Sequence, residues 1–265
     1  MPHCIVNRRL AFWVVVAAFM LSAAGVPRAA DPPAETDAPP NPTDTHELYH
    51  GGGFDIAIPK EFIDDRPEEA RAALETLSDR LEAASAKIPA DRLDKLADVR
   101  FLIEWKPSRG RLAWTRAHYV TFANAFYWDS HYAGKEGSVE VLAESELIGP
   151  TGAWVTKCQP YWALHELAHA YHDRVLGAGN DKVRRAYNLA MERGLYDHVV
   201  TRYPVGFGAL TWQKGRAYAA TNEWEYFAEL SVSFLATNPT FPHNRKDLRA
   251  HDPEGYELMV DAWER

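Results

Sequence analysis

The sequence predicts an α+β fold: a small mixed sheet packed on a helix that begins near residue 160, with a mostly helical C-terminal half. Three observations lead there. Residues 67–88 place Ala70, Ala73, Leu74, Leu77 and Leu81 along one helical face, with acidic residues at the front. Residues 99–105 form a short run of β-branched, aliphatic and aromatic side chains, the composition of a strand. From residue 160 onward the apolar positions recur mainly with helical spacing.

Taken in order, the chain opens with Arg8 and Arg9 before an apolar run from Leu10 to Ala24, followed by small residues. A basic start, an apolar stretch and a cleavage point near Ala24 are the layout of a secretory signal, so residues 1–24 are assigned to one. The run is short for a spanning helix, and no stable membrane insertion is expected after cleavage. The location expected is secreted, periplasmic or cell-envelope. Residues 25–45 are proline-rich and acidic without a hydrophobic period, which predicts an extended linker. A single folded domain is assigned to residues 46–265, long enough to bury a core. Gly51, Gly52 and Gly53 predict a tight turn near its start; they lack the lysine and the strand–loop–helix context of a phosphate loop. After the helix at 67–88 and the strand at 99–105, weaker strands are expected at 119–122 and 139–143. Residues 160–176 predict a helix with Pro160 in its first turn and Gly177 as a stop. A further helix is expected over 181–200.

Composition removes several functions. The net charge is −8, and no basic cluster with interleaved aromatics stands out, so nucleic-acid binding has no electrostatic support. Removal of the signal would leave Cys158 without an intramolecular partner, and it is read as a small buried apolar residue.

The chemistry concentrates in His165-Glu166-Leu167-Ala168-His169. Histidines four apart stack on one helix face, so both rings can converge on one zinc ion, with Glu166 close enough to take a proton from zinc-bound water. The pattern arises by chance about 0.03 times in a chain of this composition, so its surroundings must decide. The bland alternative is a helix with two surface histidines. A catalytic zinc needs a third protein ligand. The metzincin arrangement fails, because His172 and Val175 occupy the positions that would be glycine and histidine. His172 is expected on the helix surface or just behind the ligands. A glutamate from a later helix remains, and residues 221–229 supply two, Glu225 and Glu229, on one face after a Thr221 or Asn222 cap.

These motifs and their order, His165-Glu166-x-x-His169, Tyr218 and Asn222-x-x-Glu225-Tyr226-Phe227-Ala228-Glu229, resemble the zinc domain of anthrax lethal factor-type metallopeptidases. The resemblance implies a zincin-like fold of the gluzincin type. It makes His165, His169 and Glu225 the zinc ligands, Glu166 the general base and Tyr218 an oxyanion-stabilising phenol. Glu229 would hold a ligand histidine in the correct tautomer. It spans roughly residues 100–240, though its specific part is the two short motifs. The expected activity is hydrolysis of a peptide or protein substrate. Two other readings stand beside it: a zinc amidase or deacetylase acting on cell-envelope material, and a secreted zinc-binding scaffold without catalysis. His118 and His131 flank the aromatic residues Phe122, Phe126, Tyr127, Trp128 and Tyr132, a patch read as core or cleft lining. The two histidines are a weaker candidate for a separate metal site. His243 and His251 receive no role.

Overall fold

A glycine turn opens the folded part of the chain. The computed structural model describes residues 45–105, 117–121, 135–149, 152, 159–204 and 210–265. Strands β1 (His46–Gly51) and β2 (Phe54–Pro59) pair antiparallel around Gly52 and Gly53, whose φ of 60° and 90° are left-handed. The turn expected from the three glycines is therefore present. A side chain at Gly52 would also collide with the following helix, since its Cβ would lie 2.6 Å from the Ser78 carbonyl oxygen.

Helix α1 (Lys60–Asp65) leads into α2 (Pro67–Ser85), which has proline at its first position and Glu68 and Glu69 in its first turn. It buries Ala70, Ala73, Leu77, Leu81 and Ala84, the face anticipated above, and ends three residues earlier than expected. The short α3 (Ala90–Leu93) precedes β3 (Phe101–Glu104). Strands β4 (Ala117–Tyr119) and β5 (Val139–Leu142) complete a five-stranded mixed sheet in the order β1-β2-β3-β5-β4. The inner pairs β2–β3 and β3–β5 are parallel, while β5–β4 is antiparallel and leaves β4 at the edge. One face of the sheet (Phe54, Ile56, Ile58, Phe101, Ile103, Val139 and Val141) joins the main core with α2. By strand alternation the other face carries Ala57, Leu102, Glu104, Glu140 and His118.

The second half centres on two helices packed together, α4 (Trp162–Tyr171) and α6 (Glu223–Leu235). Helix α4 begins two residues after Pro160 and continues as a π-helical turn over His172–Gly177, where Gly177 at φ 88° ends it. Between them α5 (Asp181–Glu192), capped by Asn180, is shorter than the predicted 181–200. Gly194 at φ 63° breaks the helix, and the β-branched Val199, Val200 and Thr201 turn into a hairpin of β6 (Val199–Pro204) and β7 (Leu210–Gly215). Helices α7 (Arg245–His251) and α8 (Pro253–Trp263) close the chain, and Trp263 packs into the core against Tyr171 and Phe227. Among the described residues no helix is long and apolar enough to cross a membrane. The α+β class and the helical C-terminal half follow the sequence; the β6–β7 hairpin corrects it.

Candidate metal centre

Helix α4 is held on almost every side. Ala163, Leu164, Leu167, Ala168, Ala170 and Tyr171 are buried, which fixes its rotation and turns His165 and His169 towards α6. The two rings meet edge to face at 4.7 Å between centroids, with their Nε2 atoms 3.0 Å apart.

The N-terminus of α6 brings the carboxylates. Asn222 is extended, and its Oδ1 accepts from the backbone N–H groups of Trp224 and Glu225, each at 2.9 Å. This cap begins the helix so that Glu225 and Glu229, one turn apart, both face His165. Glu225 Oε2 lies 3.1 Å from His165 Nε2 and 3.3 Å from His169 Nε2. On the far side of the same imidazole, Glu229 Oε1 is 3.0 Å from His165 Nδ1. His165, His169 and Glu225 are the one set of potential metal donors found to converge among the described residues. Three donors around a tetrahedral zinc ion sit about 3.3 Å from one another, close to the spacing here, and two imidazoles with one carboxylate suit that ion. These three residues could hold one metal ion, with Glu229 orienting His165.

The electrostatics follow from this packing. Burial opposes charge on His165, but the Glu225 and Glu229 carboxylates outweigh it and hold its pKa well above the usual histidine value. Burial likewise opposes charge on Glu225, and its bonds to His165 and His169 overcome that, pulling its pKa far below the ordinary carboxylate range.

Tyr218 lies in a short 3₁₀ turn, Tyr218–Ala220, immediately before α6. The residue is 54% exposed, yet its hydroxyl donates to Glu225 Oε1 at 2.9 Å, the oxygen turned away from the histidines. Desolvation and the neighbouring Glu225 raise its pKa, so the phenol keeps its proton at neutral pH. Glu166 points to the sheet instead: its Oε2 accepts the backbone N–H of Tyr119 on edge strand β4 at 2.8 Å. Tyr119 also donates its hydroxyl to Asp173 Oδ2 at 2.9 Å, tying β4 to the turn that follows α4.

One sequence expectation narrows, and two further histidines find partners. His172 is not a surface residue: it is 0% exposed, wedged against Trp224 and Phe227, and among the described residues neither ring nitrogen has a hydrogen-bond partner. Burial, reinforced by His169, lowers its pKa to about 4 and keeps it neutral. His118 forms an ion pair with Glu140 at 3.0 Å, in a network where Lys135 pairs with Glu140 and with Glu104 at 3.0 Å. His243, given no role, bonds Asn238, whose Nδ2 in turn reaches Glu229 Oε2. Tyr119 and Asn238 were both missed from sequence: the first lies 47 residues from Glu166, and the second reaches back to Glu229 from beyond the end of α6, where helical spacing no longer applies. His131, Cys158 and the patch Phe122, Phe126, Tyr127, Trp128 and Tyr132 lie outside the described residues, as do the signal and all of the linker before Thr45.

No family model matches the chain, and neither a curated protein nor a solved structure matches it.

Proposed function

We propose that this chain is a zinc-dependent metalloendopeptidase of the gluzincin type, exported to the cell envelope or beyond. The observation that carries the reading is the convergence of His165, His169 and Glu225 within 3.0 to 3.3 Å, with Glu229 seated behind His165. A purely electrostatic pairing would not require both imidazoles to turn the same nitrogen to one carboxylate oxygen.

When bound, zinc supplies Lewis acidity that polarises a carbonyl and makes a water acidic enough to attack near neutral pH. The protein does the rest. Glu229 accepts the Nδ1 proton of His165 and so leaves Nε2 as the donor lone pair. Glu166 takes the proton of the attacking water and delivers it to the leaving amine. Its Oε2 is tied to Tyr119 N–H, which leaves Oε1 to carry that proton. Tyr218, protonated, donates to the negative charge that develops on the carbonyl oxygen. Among the described residues β4 is an edge strand of the sheet, the one an extended peptide backbone would pair with beside Glu166.

The test is zinc content and hydrolysis of a peptide library by the purified protein, alongside Glu166→Gln and Glu225→Ala. About one zinc per chain is expected, retained in Glu166→Gln with hydrolysis reduced by about 10²–10⁴-fold, and weakly held in Glu225→Ala. A protein that binds no zinc, or binds it regardless of Glu225, overturns the reading. Zinc binding with hydrolysis of acylated cell-envelope sugars but not of peptides would replace the peptidase by a deacetylase.

A further inference from the structure

We infer that Asn238 is a positioning residue for the metal centre, holding the Glu229 carboxylate in the orientation that keeps His165 aimed at the metal. The inference rests on the zinc reading above. Asn238 lies just beyond α6 and is 6% exposed. Its Nδ2 donates to Glu229 Oε2 at 3.0 Å and to the Glu229 backbone oxygen at 3.1 Å. Its Oδ1 accepts the backbone N–H of Thr240 at 2.8 Å. Its own backbone N–H donates to the His243 carbonyl at 2.8 Å, and its carbonyl meets His243 Nδ1 at 3.0 Å. Every polar group of the residue is used.

The direction of the amide is set by chemistry. Thr240 N–H can only donate, so the oxygen of Asn238 must face it and the NH₂ must face Glu229. That NH₂ grips Glu229 at both ends, the carboxylate and the backbone carbonyl, and removes the rotational freedom of the side chain between them. With Oε2 held, Oε1 is presented to His165 Nδ1. An amide suits this task better than an ammonium would. It orients the carboxylate without neutralising it, so Glu229 keeps its full strength as acceptor from the imidazole. Asn238, Glu229 and His165 thus form one chain of hydrogen bonds ending at a metal donor.

The experiment measures zinc dissociation constants by competition with a chromophoric chelator, on the intact protein, for four forms: unaltered, Asn238→Asp, Glu229→Gln and the double variant. Asn238→Asp keeps the acceptor for Thr240 but sets a carboxylate against Glu229. Its zinc affinity is expected to fall about tenfold, the size typical of losing a residue behind a ligand. In the double variant the new amide at position 229 can donate to the new carboxylate at 238 while its oxygen still accepts from His165. Adding Asn238→Asp to Glu229→Gln is therefore expected to cost less than about twofold. A residue that merely stabilised the loop would cost the same in both backgrounds, and that outcome overturns the inference. So does an unchanged zinc affinity in Asn238→Asp while the unaltered protein binds tightly. Should Asn238→Asp fail to fold, Asn238→Ser can still accept from Thr240 but is too short to reach Glu229, and the same loss is expected. An unaltered protein that binds no zinc overturns the peptidase reading and this inference with it, a result distinguishable from the other two.

Discussion

The clusters around His165 and around Lys135 draw on the same residue types and end in different states. At His165, two carboxylates face two imidazoles, and the described ion pairs of Glu225 and Glu229 are all with those histidines. At Lys135, two carboxylates share a lysine that is 2% exposed, Glu104 and Glu140 both pairing with its ammonium, and His118 pairs with Glu140 in turn. Burial opposes charge on Lys135 and on Glu140, yet Glu104 and Glu140 raise the pKa of the first, and His118 and Lys135 lower that of the second. One cluster neutralises itself with a fixed cation. The other brings two ring nitrogens and a carboxylate oxygen to a common point, on helices whose rotation is locked by their buried faces. Among the described residues the donor atoms at His165 converge without a lysine or arginine between them, and that contrast is what the zinc reading rests on.

The comparison can be broken most forcefully at Lys135. Lys135→Met leaves two buried carboxylates facing each other, and a loss of about 3–5 kcal/mol is expected in urea unfolding. Zinc affinity of the molecules that remain folded should not move. Glu225→Ala should do the reverse, weakening zinc while lowering metal-free stability less, because His165 keeps Glu229. Comparable unfolding losses from both variants would mean that the His165 cluster is only another salt bridge. Next comes Tyr218→Phe, for which a fall in kcat on the order of 100-fold is expected, with zinc content and KM unchanged. A rise in KM or loss of zinc instead would make Tyr218 a prop for Glu225.

His172 sharpens the comparison through pH. Its folded pKa is about 4, below the ~6.5 of an unfolded histidine, so the unfolded chain takes up the proton first as pH falls. Its contribution is complete above about pH 6.5 and is lost as pH drops towards 4, on the order of 3 kcal/mol in total. The difference between the pH–stability curves of the unaltered protein and His172→Phe should show a slope in that window; parallel curves would refute the buried neutral ring. The smallest effect is expected at the helix caps. Asn222→Ala and Asn180→Ala should each cost about 1 kcal/mol. Of the two, Asn222→Ala alone should also weaken zinc binding, since α6 carries Glu225.

What was legible in sequence was local. The spacing of His165 and His169, the Asn222 cap and the one-turn step from Glu225 to Glu229 are properties of single helices, and the structure places these side chains together. The α2 face was legible for the same reason. Contacts between distant segments were not: Tyr119 and Glu166 are 47 residues apart, and no periodicity announces their bond. Of the two places open to His172, the surface is excluded because Trp224 and Phe227, from a helix more than fifty residues later, cover it. The β6–β7 hairpin was hidden by reading residues 181–200 as one helix. Gly194 and the β-branched run that follows it were the available warning.

The bond from Tyr119 N–H to Glu166 has one more consequence. A backbone amide that donates to a carboxylate resonates differently once that carboxylate is protonated or drawn away. The amide proton of Tyr119 is thus a resident probe, placed by the edge of the sheet on the group proposed as general base. Followed across pH, or as an inhibitor is added, that one resonance reports the state of Glu166 without any turnover being measured. The strand that would receive the peptide also carries the reporter of the residue that would cut it.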